Sequence, residues 1–311
     1  MRCLVTGCAG FIGSQISEAL VARGHDVVGI DCFTDYYPRA VKESNLSILR
    51  DSPRFAMVEA DLLEYDLPSL LDGVEVVYHE AAQAGVRASW GQSFRVYTEN
   101  NIRATQRLLE AARAVRLRRF VYASSSSIYG DAVELPVKET ALPRPVSPYG
   151  VSKLAAEHLC HLYWVNYGVP TVSLRYFTVY GPRQRPDMGF NKFIKALLSG
   201  DEIVIYGDGE QTRDFTFISD AVAANLACID AEATGEVFNI GGGSRVTVNF
   251  VLEVLGRVSG ITPRVRYIED QKGDVRHTYA DTTKARAALG FHPTVTTEEG
   301  LRAEFEWLKQ A

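Results

Sequence analysis

The fold of this chain is indicated by a short apolar run and a glycine-rich turn, Arg2-Cys3-Leu4-Val5-Thr6-Gly7-Cys8-Ala9-Gly10-Phe11-Ile12-Gly13. The run is typical of a buried strand, and the residues after the turn have the apolar spacing of a helix. Glycines let a backbone approach a pyrophosphate, and the N-terminus of the helix supplies N–H donors to it. The stretch therefore predicts a dinucleotide-binding unit; the alternative is a glycine-rich turn without a ligand.

Asp31 stands at the end of the next predicted strand, residues 26–30. Its position, roughly 20 residues beyond the turn, is where an acidic side chain binds the adenosine ribose in dinucleotide sites. A carboxylate there also repels a 2′-phosphate, and the residues that follow, Cys32-Phe33-Thr34, include no arginine. The sequence therefore favours NAD over NADP.

Strand-like and helical segments continue to alternate along the first half of the chain. Further strands are predicted at residues 54–59, 74–79 and 120–124, and a long helical pattern covers residues 93–115. This order predicts an α/β protein with a parallel, doubly wound sheet. Ligands of such sheets lie beyond the carboxyl ends of the strands. The residues expected at those ends are Gly7, Asp31, Asp61, Ala81 and Ser125.

Composition and charge exclude several classes of protein. The chain has 311 residues and a net charge of −5, which gives no electrostatic support for a nucleic-acid partner. No run is long and apolar enough to cross a membrane, and the apolar start lacks the features of a signal peptide. The five cysteines are scattered without a C-x-x-C pair, and the six histidines form no metal-binding pattern. We therefore expect reduced thiols, no metal and a cytoplasmic location.

Three candidate catalytic residues lie at or beyond the strand 120–124: Ser125, Tyr149 and Lys153. Tyr149 and Lys153 are four residues apart and share one face of a helix, where the ammonium can lower the pKa of the phenol. A phenolate near neutral pH is a general base for an alcohol proton. The same spacing also occurs by chance in amphipathic surface helices. A serine hydroxyl, a phenol and an ammonium beside a nicotinamide are the groups that reversible alcohol oxidation needs.

Taken together, these motifs resemble the extended short-chain dehydrogenase/reductase superfamily, in its nucleotide-sugar epimerase and dehydratase branch. The resemblance covers nearly all of the chain. The motifs that carry it are Thr6-Gly7-x-x-Gly10-Phe11-Ile12-Gly13, Asp31, Asp61-Leu62, His79-x-Ala81-Ala82, Asn101-Ile102, Ser124-Ser125-Ser126-Ser127-Ile128-Tyr129-Gly130, Tyr149-x-x-x-Lys153, Arg175-Tyr176-Phe177 and Tyr180-Gly181-Pro182. Glu80 departs from the pattern, since relatives usually carry an apolar residue there.

The resemblance implies two domains and a homodimer. A Rossmann-type NAD-binding domain is expected over residues 1–175, with segments around 215–240 rejoining it. A smaller UDP-sugar-binding domain is expected over residues 176–311. Relatives are commonly homodimers through helices that correspond to residues 93–115 and 149–166.

The resemblance also implies the ligand contacts, residue by residue. Cofactor contacts are expected from Gly7, Gly10, Phe11, Ile12, Gly13, Asp31, Asp61, Leu62, Ala81, Ala82, Gln83, Asn101, Tyr149, Lys153, Tyr176 and Val179. Substrate contacts are expected from Ser125, Ser126, Ser127, Thr178, Arg185, Gln211, Arg213 and Arg276. Arg213 and Arg276 match arginines that bind the nucleotide diphosphate in relatives, and two guanidinium forks suit its oxygens. For either arginine alone, a surface salt bridge is the alternative.

In this branch Tyr149 is expected to take the proton of the sugar C4 hydroxyl while the C4 hydride passes to NAD⁺. The dehydratases and sugar-acid decarboxylases of the branch carry acidic residues in the serine stretch, where this chain has Ser126 and Ser127. Simple 4-epimerisation is therefore favoured. The 4-keto sugar rotates and takes the hydride back on its other face, which requires a tightly bound NAD that is recycled each turnover.

The identity of the sugar is predicted from the segment 178–188, which is similar to that of UDP-glucuronate 4-epimerases, as are segments 82–87 and 35–37. A C6 carboxylate needs donors, and these are available from Ser126, Ser127, Thr178 and Arg185. An alternative role for Arg185 is to steady the loop at Pro186. The alternative functions are a UDP-glucose 4-epimerase, a UDP-glucuronate decarboxylase and a non-catalytic NAD-binding regulator on the same fold.

Overall fold

A computed structural model of the chain describes residues 1–132, 134–269 and 273–310. Its strands are β1 (Arg2–Thr6), β2 (Asp26–Asp31), β3 (Phe55–Glu59), β4 (Val76–His79), β5 (Arg119–Ser125), β6 (Thr171–Tyr176), β7 (Val179–Tyr180), β8 (Ile203–Tyr206), β9 (Thr212–Asp214), β10 (Thr216–Phe217), β11 (Glu236–Ile240), β12 (Arg245–Thr247) and β13 (Val265–Ile268). Seven of them form the central sheet in the order β11-β6-β5-β4-β1-β2-β3, and every pairing in it is parallel. The expected doubly wound α/β sheet is confirmed, and its order reverses between β1 and β4.

Eleven α-helices lie in the described parts of the chain: α1 (Phe11–Ala22), α2 (Arg39–Asn45), α3 (Leu67–Leu70), α4 (Phe94–Tyr97), α5 (Ala104–Ala112), α6 (Pro148–Tyr167), α7 (Gly189–Ser199), α8 (Ile218–Ala227), α9 (Val248–Ser259), α10 (Thr283–Leu289) and α11 (Thr297–Gln310). The long helical pattern expected over 93–115 is divided, because a π-helical turn at Thr98–Arg103 separates α4 from α5. Such turns are frequent at functional sites. This one carries Asn101.

The central sheet is buried on both faces, which explains why its strands are apolar runs without alternation. On one face α1 and α8 pack against each other and cover a core that includes Val5, Ile16, Leu20, Val121 and Phe238. On the other face α3, α5 and α6 cover a second core that includes Leu4, Val77, Leu108, Phe120 and Tyr163. The sheet is therefore fixed between two helical layers, and its strand ends face the same edge.

A smaller unit follows β6. It contains the parallel pair of β8 and β13 and the antiparallel pair of β9 and β12. Helices α7, α9 and α11 pack together there around a third core, whose members include Tyr180, Phe190, Phe215, Val251 and Phe305. Strand β11, although it comes late in the chain, pairs with β6 at the edge of the central sheet.

Candidate active site

A single cavity extends along the carboxyl ends of the central strands and gathers most of the predicted cofactor residues. Its lining includes Gly7, Gly10, Phe11, Ile12, Gly13, Asp31, Asp61, Leu62, Glu80, Ala81, Ala82, Gln83, Tyr149, Lys153, Tyr176 and Arg185. Asp31 and Asp61 are distant in sequence from Tyr149 and Lys153. The parallel sheet places all four residues at the same edge, where the strands have their carboxyl ends. Two predicted cofactor residues, Asn101 and Val179, are not among the lining residues.

The glycine turn packs closely against the loop that follows β4. Gly7 has a φ of +68°, and a Cβ there would lie 2.8 Å from the backbone nitrogen of Ala81. Helix α1 begins directly after Gly10, and no side chain from the described residues caps its N-terminus. The first N–H groups of α1 are therefore directed to the cavity, as binding of a pyrophosphate requires.

Asp31 is held in place by neighbours on three sides. Its Oδ1 accepts from the backbone N–H of Phe33 at 2.8 Å and from Lys42 Nζ at 3.3 Å. Its Oδ2 lies 3.3 Å from the backbone nitrogen of Ala9, which donates to it. A carboxylate has about four lone-pair sites, so Asp31 retains acceptor capacity for a ribose. Lys42 is buried beside the cavity, and sequence reasoning missed it because no motif or period relates it to Asp31.

The N-terminus of α6 positions the predicted catalytic residues Tyr149 and Lys153. Ser147 caps the helix by accepting from the backbone N–H of Gly150 at 3.1 Å, and Pro148 occupies the first turn. Lys153 Nζ donates to the carbonyl of Ala123 on β5 at 2.7 Å. Burial lowers the pKa of Lys153 to about 8, and the charge of Glu80 opposes this shift.

The phenol of Tyr149 lies in the same cavity, but its pKa differs from the expectation based on Lys153 alone. Burial raises the pKa of Tyr149. A hydrogen bond with Ser125 is the largest influence that opposes the rise, and the positive charge of Arg185 is the second largest. Lys153 Nζ donates to a carbonyl of β5, and its charge is not among the main influences on the pKa of Tyr149. These protein groups leave the pKa of Tyr149 above its ordinary value, and additional positive charge near the phenol would lower it.

The serine stretch ends β5 and turns beneath α6. Ser125 Oγ accepts from the backbone N–H of Ser127 at 3.1 Å, which starts a short 3₁₀ turn at Ser126–Ile128. A Cβ at Gly150 would lie 2.5 Å from the carbonyl oxygen of Ser127, so the glycine lets α6 approach this turn. Of the predicted substrate residues, Ser125 hydrogen-bonds Tyr149 and Ser127 lies against Gly150, with Ser126 between them in the turn. None of these three serines is among the lining residues of the cavity.

Arg185 reaches the cavity from the loop after β7. It forms a two-pronged ion pair with Asp187, with 3.0 Å from Nε to Oδ1 and 3.0 Å from Nη2 to Oδ2. The hydroxyl of Tyr36 donates to the same Asp187 carboxylate at 3.1 Å. The Arg185 guanidinium is 5.9 Å from the centre of the Tyr36 ring. Tyr36 and Asp187 therefore hold the half-buried Arg185 guanidinium at the cavity, where its charge acts on the pKa of Tyr149.

The predicted diphosphate residues lie together in the smaller unit. Arg213 Nη1 donates to the carbonyl of Arg276 at 3.1 Å, and Gln211 Nε2 donates to the carbonyl of Tyr206 at 2.9 Å. Arg276 Nη2 forms an ion pair with Asp208 at 2.8 Å. Gln211, Arg213 and Arg276 are not among the lining residues of the cavity that contains Tyr149.

Arg87, which sequence reasoning left out of the site, connects the two units. Its Nη2 is 2.6 Å from Asp274 Oδ2, and its guanidinium lies 4.1 Å from the centre of the Tyr206 ring. Burial lowers the pKa of Arg213, and the positive charge of Arg87 acts in the same direction. Arg87 follows β4, whereas Tyr206 and Asp274 belong to the later half of the chain.

Asn101 and Val179 do not line the cavity but belong to elements beside it. Asn101 Oδ1 accepts from the backbone N–H of Gln83 at 2.7 Å, and its Nδ2 donates to Ser152 Oγ at 2.9 Å. It therefore joins the loop after β4 to α6. Val179 is buried in β7, which pairs with β10, and Thr178 precedes it.

No metal site and no membrane span accompany this cavity in the described parts of the chain. No group of three histidine, cysteine, aspartate or glutamate residues there is arranged to hold a metal ion. No helix among those residues is long and apolar enough to cross a bilayer.

Comparisons with known proteins agree with this geometry. The model of the NAD dependent epimerase/dehydratase family matches residues 3–241. A crystal structure of UDP-glucuronic acid 4-epimerase from Bacillus cereus, in complex with UDP-glucuronic acid and NAD, is 45% identical with a TM-score of 0.97 and covers 100% of this chain and 99% of its own. The UDP-glucuronate 4-epimerase of Thermodesulfobacterium geofontis is 37% identical over an alignment of 311 positions that covers 99% of this chain and 96% of that protein. The Bacillus subtilis protein YtcB, called an uncharacterized UDP-glucose epimerase, is 44% identical over 310 residues, 99% of this chain and 98% of its own.

Proposed function

This chain belongs to the NAD-dependent epimerase/dehydratase family, and we propose that it is a UDP-glucuronate 4-epimerase that forms UDP-galacturonate. The observation that supports the choice of sugar is the half-buried Arg185, which lines the cavity with Tyr149 and whose charge acts on the pKa of the phenol. A guanidinium in a desolvated site is suited to a carboxylate, because it donates two parallel hydrogen bonds. The full-length likeness to the Bacillus cereus enzyme supports the same choice.

Tyr149 is the proposed general base and acid. It takes the proton of the sugar C4 hydroxyl and later returns a proton to the C4 oxygen. Ser125 hydrogen-bonds the phenol and orients it. Lys153, one turn further along α6, lines the same cavity and is proposed to position the cofactor and substrate around the phenol. NAD bound in the cavity supplies the hydride acceptor and donor for C4. The glycine turn, the uncapped start of α1 and the acceptor capacity of Asp31 all fit this cofactor.

Arg185, together with Ser126, Ser127 and Thr178, is proposed to hold the C6 carboxylate. Once C4 is a ketone, the carboxylate is that of a β-keto acid and tends to leave as CO₂. Donors that keep the C5–C6 bond near the ring plane prevent its overlap with the carbonyl π system, and so suppress this loss. Asp187 and Tyr36 support the proposal, because they fix the direction of the guanidinium before the substrate binds.

The diphosphate of the substrate is proposed to bind Gln211, Arg213 and Arg276. This assignment divides the chain into an NAD domain over 1–175, joined by segments around 215–240, and a sugar-nucleotide domain in the rest. Arg87 supports this geometry because it joins the two parts beside Arg213.

A homodimer through residues 93–115 and 149–166 is also proposed. Large apolar side chains on α6 are exposed in the monomer, namely Val151, Leu162 and Val165. A second copy of α6 would cover them. A cytoplasmic location is supported by the five cysteines, all of which are free thiols.

The test is an NMR time course on the purified protein with no NAD added, in which UDP-glucuronate and UDP-glucose are supplied separately. Formation of UDP-galacturonate supports both the carboxylate pocket and a retained cofactor. The second candidate, UDP-glucose 4-epimerase, is favoured by the name of the Bacillus subtilis relative. Conversion of UDP-glucose alone would support this second candidate and would contradict the proposed contact between Arg185 and a sugar carboxylate. A pentose product would indicate decarboxylation, and no product even with added NAD would favour a non-catalytic regulator.

A further inference from the structure

Glu80 is a carboxyl group inside the cofactor cavity that the epimerisation steps above do not use. It directly follows β4 and lines the cavity together with Tyr149, Lys153 and Tyr176. Its Oε1 accepts a hydrogen bond from the Tyr176 hydroxyl at 3.1 Å. A carboxyl group enclosed in this way is costly unless it interacts with donors or cations, so its surroundings indicate what it does.

Two neighbours of Glu80, the Tyr176 hydroxyl and Lys153, favour its ionised form and oppose the effect of burial. Asn225 Nδ2 donates to the oxygen of Tyr176 at 2.7 Å and to the carbonyl of Ala221 at 2.8 Å. The Tyr176 hydroxyl has two acceptors within reach, Glu80 Oε1 at 3.1 Å and Asn225 Oδ1 at 3.0 Å, which share its single proton. Two buried side chains, Tyr176 and Asn225, thus place a hydroxyl donor beside the half-buried Glu80 carboxylate.

Glu80 is also the main opposite charge acting on Lys153. Burial raises the pKa of Glu80 to about 7, and the Tyr176 hydrogen bond and the charge of Lys153 oppose this rise. Burial lowers the pKa of Lys153 to about 8, and among the opposing charges that of Glu80 comes first. Each group therefore helps to keep the other charged.

The position of this pair within the cavity sets which part of the cofactor it affects. Asp31 and Asp61 lie beyond β2 and β3, so the adenosine occupies that end. Tyr149 must reach the sugar carbon that exchanges the hydride, so the nicotinamide occupies the end formed by β4, β5, β6 and α6. Glu80 belongs to this second end.

We propose that Glu80 is an electrostatic tuning residue that favours the oxidised nicotinamide in this cavity and lowers the reduction potential of the bound cofactor. The oxidised ring carries a positive charge and the reduced ring carries none, so the ionised form of Glu80 at this end stabilises the oxidised form selectively. The cofactor then returns its hydride readily, which shortens the time in which a 4-keto sugar can escape. The inference rests only on the NAD-binding part of the proposed function.

The experiment measures which form of the cofactor the protein retains. The holoprotein is incubated with mixtures of NAD⁺ and NADH of known ratio until the bound ratio is constant, and the bound cofactor is then extracted and quantified. Glu80→Gln keeps an acceptor for the Tyr176 hydroxyl and removes the charge. It should shift the bound ratio about tenfold towards NADH, equivalent to ~30 mV for a two-electron couple.

Two further variants separate charge from packing. Glu80→Asp keeps the charge and should keep a ratio closer to wild type than Glu80→Gln. Tyr176→Phe removes the donor that favours the ionised carboxyl, and it should shift the ratio in the same direction as Glu80→Gln by a smaller factor. The Tyr176→Phe measurement also decides the matter if Glu80→Gln does not fold. An unchanged ratio in these charge-lowering variants, or a shift towards NAD⁺, would overturn the proposal. Because no sugar nucleotide is present, the result is independent of which sugar the protein converts.

Discussion

Replacement of Arg175 by methionine should destabilise the protein by about 3–5 kcal/mol, the usual cost of removing one partner from a buried ion pair. The side chains of Arg175 and Glu157 are only 5% and 4% exposed, and Arg175 Nη2 lies 2.6 Å from Glu157 Oε1. A second hydrogen bond runs from Arg175 Nε to Glu157 Oε2 at 3.0 Å. The substitution leaves a buried carboxylate with the Ser124 hydroxyl as its donor, at 2.6 Å. One hydroxyl does not replace a guanidinium fork.

The double variant Arg175→Met with Glu157→Met tests the cause of the loss. It removes both charges, so most of the stability should return. A residual cost of about 1–3 kcal/mol is expected, because Arg175 also donates to the Tyr129 hydroxyl and to the carbonyl of Glu139, and both acceptors lose a partner.

Urea unfolding in the presence of saturating NAD measures these differences, as a shift of the midpoint at unchanged slope. Arg39→Met is the matched control, since it breaks an exposed ion pair with Glu59 and should leave the midpoint almost unchanged. If Arg175→Met shifts the midpoint no more than this control, or if the double variant is as unstable as the sum of the singles, the attribution to an uncompensated buried charge is wrong.

Three further predictions concern the reaction and its pH range. Tyr149→Phe should lower kcat by about 10²–10⁴-fold while NAD is still retained, because only the proton-transfer group is removed; loss of the bound NAD would contradict this role. Arg185→Met should raise KM for UDP-glucuronate by roughly 10–100-fold and change that for UDP-glucose little, and an equal loss for both sugars would count against the carboxylate contact. Burial raises the pKa of Glu304 to about 8, although its Oε2 accepts from the backbone N–H of Gly181 at 2.8 Å. Since this pKa lies above the unfolded value of about 4.3, the stability from Glu304 is fully present below that value and is lost as pH rises through the folded pKa. Glu304→Gln should therefore flatten the fall in urea midpoint between about pH 4 and about pH 8, and an unchanged fall would exclude Glu304 as its source.

The regular part of the fold could be predicted from local patterns. The glycine turn and the alternation of strands with helices indicate a doubly wound sheet, because parallel strands need crossovers of one hand. Asp31 and Ala81 then fall at the same edge without further assumptions, and the structure places both at the cavity. The spacing of four that relates Tyr149 to Lys153 is also a local property, and the structure places both residues on α6 at the cavity.

Contacts between distant segments could not be predicted in this way. Lys42 pairs with Asp31 from α2, and no spacing relates the two. The π-helical turn that divides the expected long helix depends on tertiary contacts, since Asn101 in that turn bonds Gln83 and Ser152. Hydrophobic periodicity carries no information about such bonds, because it reports only which face of an element is buried.

The raised pKa of Tyr149 gives a physical reason for the order of events in this site. Burial favours the neutral phenol, and the positive charge of Arg185 opposes this only in part. A substrate carboxylate that pairs with Arg185 removes even that contribution, so the oxidised nicotinamide becomes the decisive cation near the phenol. Deprotonation of Tyr149 is thereby coupled to the presence of a hydride acceptor. Glu80 limits this effect, because it offsets part of the positive charge at the same end of the cavity. An enzyme that must both give and regain one hydride needs such a balance, since neither direction of the transfer can be strongly favoured.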